Sequence, residues 1–160
     1  MKIIQRVALR PATVSDEDFR FAVYASTRAD ELRAWGWPAE QQSVFLKLQF
    51  SAQELGHRSC FPDADRSLLC LEQHAVGVLT VQRTPNAIRL IDIALLPNYR
   101  GQGLGARVLR GLQDEARKSA RPLRLQVLKG NPAERLYIRL GFSRVTDNGL
   151  YQEMEWAAKA

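Results

Sequence analysis

Apolar residues in the first third of the chain recur at helical spacing. Residues 5–10 alternate loosely and are predicted to form a short first strand. Ser15 and Asp18 resemble a capping box that starts a helix, and a second helix is predicted to run from the tryptophan-rich segment 35–38 to Leu55. The apolar residues that carry these two patterns are Phe19, Ala22 and Val23 in the first helix and Val44, Phe45, Leu48 and Leu55 in the second.

The period changes from helical to strand-like after residue 67. Residues 68–71 and 76–81 predict a hairpin, and residues 88–96 predict a further strand that Pro97 stops. A helix and then a strand at 123–128 follow, and a strand, a crossover helix and a strand imply a parallel pair with a right-handed connection. The apolar face predicted for the helix consists of Leu104, Val108, Leu109, Leu112 and Ala116.

The last part of the chain predicts a short helix and a second hairpin. The helix opens at Asn131 and ends near Gly141, which is predicted as its C-cap. Residues 142–146 are predicted to pair with residues 150–156 across a turn that contains Gly149. The predicted fold class is therefore a mixed α/β sheet, mostly antiparallel with one central parallel strand pair and flanking helices, in a single domain over residues 1–160.

Charge and composition restrict the classes of partner. The formal net charge of +6 and the pI near 9.7 favour an anionic partner, which could be nucleic acid, a membrane surface or a phosphorylated cofactor. The arginines are scattered, however, and no dense basic block with interleaved aromatic residues marks a nucleic-acid interface. Neither a secretory signal nor an apolar membrane span is present, so a cytoplasmic location is expected.

Cysteine and histidine positions give no metal-ligand spacing, so no metal is expected. Cys60 and Cys70 are expected to be reduced rather than paired. His57, expected in the loop after the second helix, and His74, expected in a turn, are both interpreted as solvated rather than catalytic.

A glycine-rich loop between a predicted strand and a predicted helix is the strongest chemical signal. Glycines let backbone N–H groups approach an anion closely, and the helix start adds partial positive charge. The alternative is a glycine-rich turn without a ligand. The dinucleotide fingerprint and the P-loop both fit less well, because the spacing is G-x-G-x-G and no lysine follows. The loop consists of Arg100, Gly101, Gln102, Gly103, Leu104, Gly105 and Ala106.

This loop resembles the R/Q-x-x-G-x-G/A motif with which the GNAT family of N-acetyltransferases holds the pyrophosphate of coenzyme A. A second segment, from Asn131 to Phe142, resembles the family segment that runs from an asparagine through Ala and Tyr to Gly-Phe. The resemblance covers nearly the whole chain and implies the GNAT-type acyl-CoA N-acyltransferase fold, with acetyl-CoA as cosubstrate and an amine-bearing acceptor. A homodimer stays open, and neither nucleic acid nor a membrane is expected as a partner.

The resemblance also implies roles for individual residues. The two parallel strands should splay apart, with the cofactor arm between them in contact with Ile93 and Leu95, while the loop from Arg100 to Ala106 takes the phosphates. Asn131 corresponds to a side chain that contacts coenzyme A. Tyr137 corresponds to the general acid that protonates the leaving thiolate; the alternative is a tyrosine that only packs.

The acceptor must attack as a neutral amine, so a base or a water chain is expected. Asp92 is the candidate base because it lies mid-strand, on a face predicted to include Leu90 and Ala94, where burial should raise its pKa. The alternative is an aspartate satisfied by an arginine or the backbone. The resemblance places the acceptor pocket near Glu31, Trp35 and Trp37, where aromatic walls and a carboxylate suit a cation; the alternative is that the tryptophans only join the two helices.

The sequence thus predicts an acetyl-CoA-dependent N-acetyltransferase. Two other classes stay open: a coenzyme A-binding sensor without catalysis, and a basic nucleic-acid-binding domain.

Overall fold

The computed structural model describes residues 7–159, and the predicted strand residues 5 and 6 lie outside them. This part of the chain contains seven strands and four α-helices. In order they are β1 (Val7–Pro11), α1 (Glu17–Trp35), α2 (Ala39–Cys60), β2 (Asp65–Leu71), β3 (His74–Arg83), β4 (Ile88–Leu95), α3 (Leu104–Lys118), β5 (Leu123–Leu128), α4 (Ala133–Arg139), β6 (Ser143–Asp147) and β7 (Tyr151–Trp156).

The strands form one mixed sheet in the order β1-β2-β3-β4-β5-β7-β6. Strands β4 and β5 are parallel, and every other neighbouring pair is antiparallel. Both predicted hairpins are present, as β2–β3 and β6–β7. The predicted mixed sheet with one central parallel pair is confirmed.

Different helices pack on the two faces of the sheet. On one face, α3 packs on β4 and β5 through its predicted apolar side, with Leu104, Leu109, Leu112 and Ala116 in the larger core cluster. On the other face, Val23 of α1 packs against Leu68, Cys70 and Val78 in a smaller cluster. Both cysteines are free thiols, as expected. No helix within residues 7–159 has the length and apolar character needed to cross a bilayer.

The start of α1 differs from the prediction. A 3-10 turn (Val14–Asp16) leads into α1, and the capping box lies at the start of this turn. It is formed by Thr13 and Asp16, two residues before the predicted Ser15 and Asp18, and the Asp16 carboxylate accepts the Thr13 backbone N–H at 2.8 Å. Arg10 also donates to this carboxylate. Because a strand residue supplies a partner for Asp16, the tertiary structure selects the earlier box.

Only some of the apolar residues that were predicted to be buried in α1 and α2 are buried in the structure. Ala22 is exposed, whereas Leu32 is buried. In α2 the buried residues are Leu46 and Phe50. The exposed ones are Val44, Leu48 and Leu55. Helical spacing identifies a helix, but the neighbours that cover it decide which side is buried.

Strand β4 carries a bulge and then loses its parallel partner. Leu90 pairs with Val81 and Asp92 pairs with Thr80, so Ile91 is an extra residue in β4. Pairing between β4 and β5 covers only Ile88–Leu90 with Leu123–Leu125, although both strands continue. The sheet therefore opens at its centre.

Candidate active site

The opening between β4 and β5 is part of a cleft of about 870 Å³. Its walls come from the exposed edges of these two strands, from α1 and α2 on one side, and from α4 and β7 on the other. The cleft is large enough for an extended ligand.

Asp92 lies at the bulge of β4 and lines this cleft. Burial raises its pKa from 3.8 to about 6; Glu54 acts in the same direction, and Arg20 opposes it. The bulge corrects the predicted face: Asp92 and Ala94 point towards α1 and α2, whereas Leu90 packs in the core on the α3 side. A carboxylate with a pKa near 6 is mostly ionised at neutral pH and still basic enough to accept a proton.

Tyr137 lies in α4 and lines the same cleft, so the structure brings both predicted catalytic residues together. Its ring packs edge-on against Phe142 at 5.7 Å between centroids, and the residue is only 7% exposed. Burial raises the pKa of Tyr137 to about 12, and the negative charge of Asp92 adds to the effect. The phenol therefore carries its proton at neutral pH and is available as a donor.

The glycine loop forms the start of α3. Gly101 and Gly103 have φ values of 72° and 81°, which favour glycine. The first helical bond of α3 runs from the Arg107 N–H to the Gly103 carbonyl at 3.0 Å. The N–H groups of residues 104–106 precede that bond and lie at the positive end of the helix dipole. This geometry suits an anion held by backbone donors.

Side chains at the start of the loop bind other parts of the protein. Arg100 donates to the Leu95 carbonyl at 2.8 Å and to the Ser26 hydroxyl at 3.1 Å, which connects the loop to β4 and α1. Gln102 donates to the Asn98 carbonyl at 2.8 Å. Both side chains therefore stabilise the loop conformation.

The remaining predicted cofactor contacts divide between the cleft and its surroundings. Ile93 and Asn131 line the cleft. The Asn131 side-chain oxygen also accepts the Ala133 N–H at 2.9 Å and so supports the start of α4. Leu95 does not line the cleft. Leu104 and Ala106 are buried in the protein. Their predicted roles, like those of the other site residues, stay predictions.

The structure does not bring the predicted acceptor residues to the cleft. Trp35 and Trp37 pack on each other at 5.4 Å and on Phe45 of α2 at 5.8 and 5.3 Å, so they join the two helices. Glu31 accepts a hydrogen bond from Arg28 at 2.9 Å, and of these two it is Arg28 that lines the cleft.

One face of α2 lines the cleft although no residue on it was predicted to belong to the site. His57 lies inside this helix rather than in a loop, is half-buried, and has a pKa lowered mainly by burial. His74 is exposed. Helical spacing of polar and small residues was the signal that could have revealed this face. The residues of α2 that line the cleft are Gln49, Ala52, Gln53, Gly56, His57 and Cys60.

Within residues 7–159, His, Cys, Asp and Glu side chains form no group of three or more that could hold a metal ion.

A mixed sheet that opens at its one parallel pair, with a glycine loop and a helix start after the first of those strands, is the fold of the acyl-CoA N-acyltransferases. The sequence model of the acetyltransferase (GNAT) family matches residues 22–142, and the chain therefore belongs to that family.

Solved structures agree in fold at low sequence identity. The PaiA N-acetyltransferase from Thermoplasma acidophilum, in complex with coenzyme A, is 17% identical, with a TM-score of 0.69 over 96% of this chain and 99% of that one. An acetyltransferase from Thermus thermophilus is 20% identical, with a TM-score of 0.70 over 97% of this chain and 99% of that one. Among curated proteins, no relative matches the chain in sequence.

Replacing Asp92 by Asn should stabilise the fold at neutral pH but not in acid. Because burial raises the carboxyl pKa from 3.8 to about 6, the wild type loses stability as pH rises through that window. A shift of about two pH units corresponds to about 3 kcal/mol. The free energy of unfolding of Asp92→Asn, relative to wild type, should increase by up to that amount between about pH 4 and pH 7, as measured by denaturant unfolding. The exposed Asp63→Asn is the control, and a difference that does not change with pH would contradict the expectation.

Proposed function

We propose that the protein transfers an acetyl group from acetyl-CoA to a primary amine of a small molecule, peptide or protein. The observation that carries the proposal is the joint position of Asp92 and Tyr137 on one cleft, which opens where β4 and β5 separate. Their pKa values are moved to about 6 and about 12. Neighbouring groups with separated pKa values suit an acid and a base.

Binding of the cosubstrate is supported by the glycine loop and the open strand edges. The N–H groups of residues 102–106 would bind the pyrophosphate, because they lie at the start of α3 and the loop glycines leave the backbone accessible. The strand edge near Ile93 would hydrogen-bond the extended pantetheine arm. The coenzyme A complex of the Thermoplasma PaiA protein, which shares the fold, is consistent with this cosubstrate.

Proton transfer is assigned to the two residues on the cleft. Bound acetyl-CoA supplies an acetyl group activated as a thioester. Asp92, or water beside it, accepts the proton that the acceptor amine must lose, and the neutral nitrogen then forms the new bond to the acetyl carbon. Once this bond has formed, the nitrogen carries a surplus proton. As the carbon–sulfur bond breaks, Tyr137 donates its proton to the departing sulfur, and the surplus proton on the nitrogen passes directly or through water to Tyr137 and restores its hydroxyl. A backbone N–H near Ile93 or Leu95 would stabilise the negative charge that develops on the carbonyl oxygen.

The proposed function is tested by titrating the protein with acetyl-CoA and then measuring thiol release with a panel of primary amines. Saturable heat of binding and amine-dependent thiol release are expected. Binding without release for any amine would support a coenzyme A sensor. If acetyl-CoA does not bind and a DNA or RNA duplex does, the chain is a nucleic-acid-binding domain instead.

Replacing Gly103 by Val should weaken acetyl-CoA binding by about tenfold or more, because a side chain there moves the phosphates away from the backbone donors. Gly149→Val is a matched control. Both glycines have positive φ, 81° and 92°, and an added Cβ has no neighbour within 4 Å at either position. The two variants therefore carry the same kind of strain. If both variants fold and bind acetyl-CoA with equal affinity in calorimetric titration, the loop is not part of the binding site.

Replacing Tyr137 by Phe should lower kcat by about 10²-fold while binding of acetyl-CoA is retained, because the ring still packs on Phe142 and only the hydroxyl is lost. Tyr99→Phe, at a partly buried tyrosine that packs against the larger core cluster, is the control. Thiol-release kinetics measure both. A fall of less than about threefold would mean that Tyr137 only packs.

A further inference from the structure

Behind Asp92 lies a second, smaller cavity of about 110 Å³. It is enclosed by α1, α2 and the face of the sheet that they cover. Three charged side chains line it: Arg20 from α1, Glu54 from α2 and Asp92 from β4. Neither Arg20 nor Glu54 lines the larger cleft.

Arg20 and Glu54 form a partly buried ion pair. An Arg20 guanidinium nitrogen donates to Glu54 Oε1 at 2.6 Å, and the two side chains are only 13% and 18% exposed. The other Glu54 oxygen, Oε2, is buried without a hydrogen-bond partner in the structure. A partly buried pair in which one carboxylate oxygen is buried without a partner contributes little stability, because desolvation offsets much of the attraction. Its position beside Asp92 suggests a different role.

The strand register extends the same polar cluster across the sheet. Arg66 of β2 is opposite Thr80 of β3, and Thr80 is opposite Asp92 of β4, so the three side chains share one face. Arg66 also has a buried nitrogen without a partner, and it interacts electrostatically with Glu54. Glu54 is thus attracted by two guanidinium groups and is held in a fixed place near Asp92.

We propose that Glu54 and Arg20 are positioning residues that set the charge of Asp92 through opposite effects. Glu54 favours the protonated form of Asp92, and Arg20 favours its ionised form. The proposal deepens the proposed function, since Asp92 is the base only if that function is correct. Neither residue touches the reacting atoms.

The direction of each effect follows from charge. A negative neighbour disfavours ionisation of a carboxyl group and a positive neighbour favours it. Accordingly, Glu54 raises the pKa of Asp92 and Arg20 lowers it, after burial as the largest cause. Arg89, which precedes Asp92 in β4, forms an ion pair with Glu153 of β7 at 2.6 Å. The titratable or charged groups from the helices that line the two spaces beside Asp92 are Arg20, Tyr24, Arg28, Glu54, His57, Cys60 and Tyr137.

The test follows the Asp92 carboxyl carbon by NMR across a pH titration of the free protein, which needs neither acetyl-CoA nor an acceptor. The wild-type midpoint is expected at about 6. Glu54→Gln should lower it by about half a pH unit or more, and Arg20→Met, which keeps an apolar stem over Phe50, should raise it by a similar amount. Glu40→Gln, an exposed position in the first turn of α2, should leave it unchanged.

Glu54→Asp separates charge from packing, because it keeps the charge but shortens the side chain. Its midpoint should lie between those of wild type and Glu54→Gln. Three results would each overturn the proposal. The Asp92 midpoint could shift in the same direction in Glu54→Gln and Arg20→Met, it could stay unshifted in Glu54→Gln, or it could shift equally in Glu54→Asp and Glu54→Gln. If Arg20→Met does not fold, the two Glu54 variants still decide.

Kinetics distinguish this proposal from the proposed function. If Asp92 is the base, the acid limb of the pH profile of kcat/KM should move with the NMR midpoint in each variant, and Asp92→Asn should abolish that limb. Midpoints that move while the acid limb stays fixed would support the positioning role of Glu54 and Arg20 but remove Asp92 as the base.

Discussion

Hydrogen bonding between β4 and β5 stops after three residue pairs, although both strands continue beyond them. In a continuous sheet the backbone N–H and C=O groups of residues 91–95 that face β5 would be hydrogen-bonded to that strand. Here the separation leaves two strand edges free and opens the cleft between them. The crossover helix α3 starts soon after β4, so its positive end lies near the carboxyl end of the same strand. The interrupted pairing therefore opens the cleft, and the short connection from β4 to α3 fixes the position of the glycine loop.

The bulge at Ile91 decides which side chain reaches the centre of this opening. Without the extra residue, Leu90 and Asp92 would share a face; with it, Leu90 remains in the α3 core and Asp92 turns towards α1 and α2. There burial raises the pKa of Asp92, and burial on the other side of the cleft raises that of Tyr137. Burial of the Asp92 carboxylate reduces folding stability at neutral pH, because the charged form is removed from water.

Helix α2 serves two purposes with different sides. Leu46 and Phe50 are buried, and Gln53 and His57 line the cleft. Leu48 and other apolar residues stay exposed. Glu54 reaches neither the core nor the cleft but the small cavity behind Asp92. The side of the cleft that α1 and α2 form is therefore built from polar and small residues of α2 together with Tyr24 and Arg28 of α1, and not from the tryptophans between these helices.

The sequence alone determined the order and type of most elements, because strand and helix periods, proline stops and glycine turns are local signals. It also predicted the parallel pair, the glycine loop, and Asp92 and Tyr137 as candidate catalytic residues. Motif spacing and a carboxylate within an apolar strand can be recognised from the order of residues alone. Only the tertiary structure decided the side of β4 on which Asp92 lies, the burial of Leu46 instead of Leu48, and the pairing of Arg20 with Glu54 over a separation of 34 residues. Those features depend on register, a bulge and the packing of distant helices, and no local pattern encodes them.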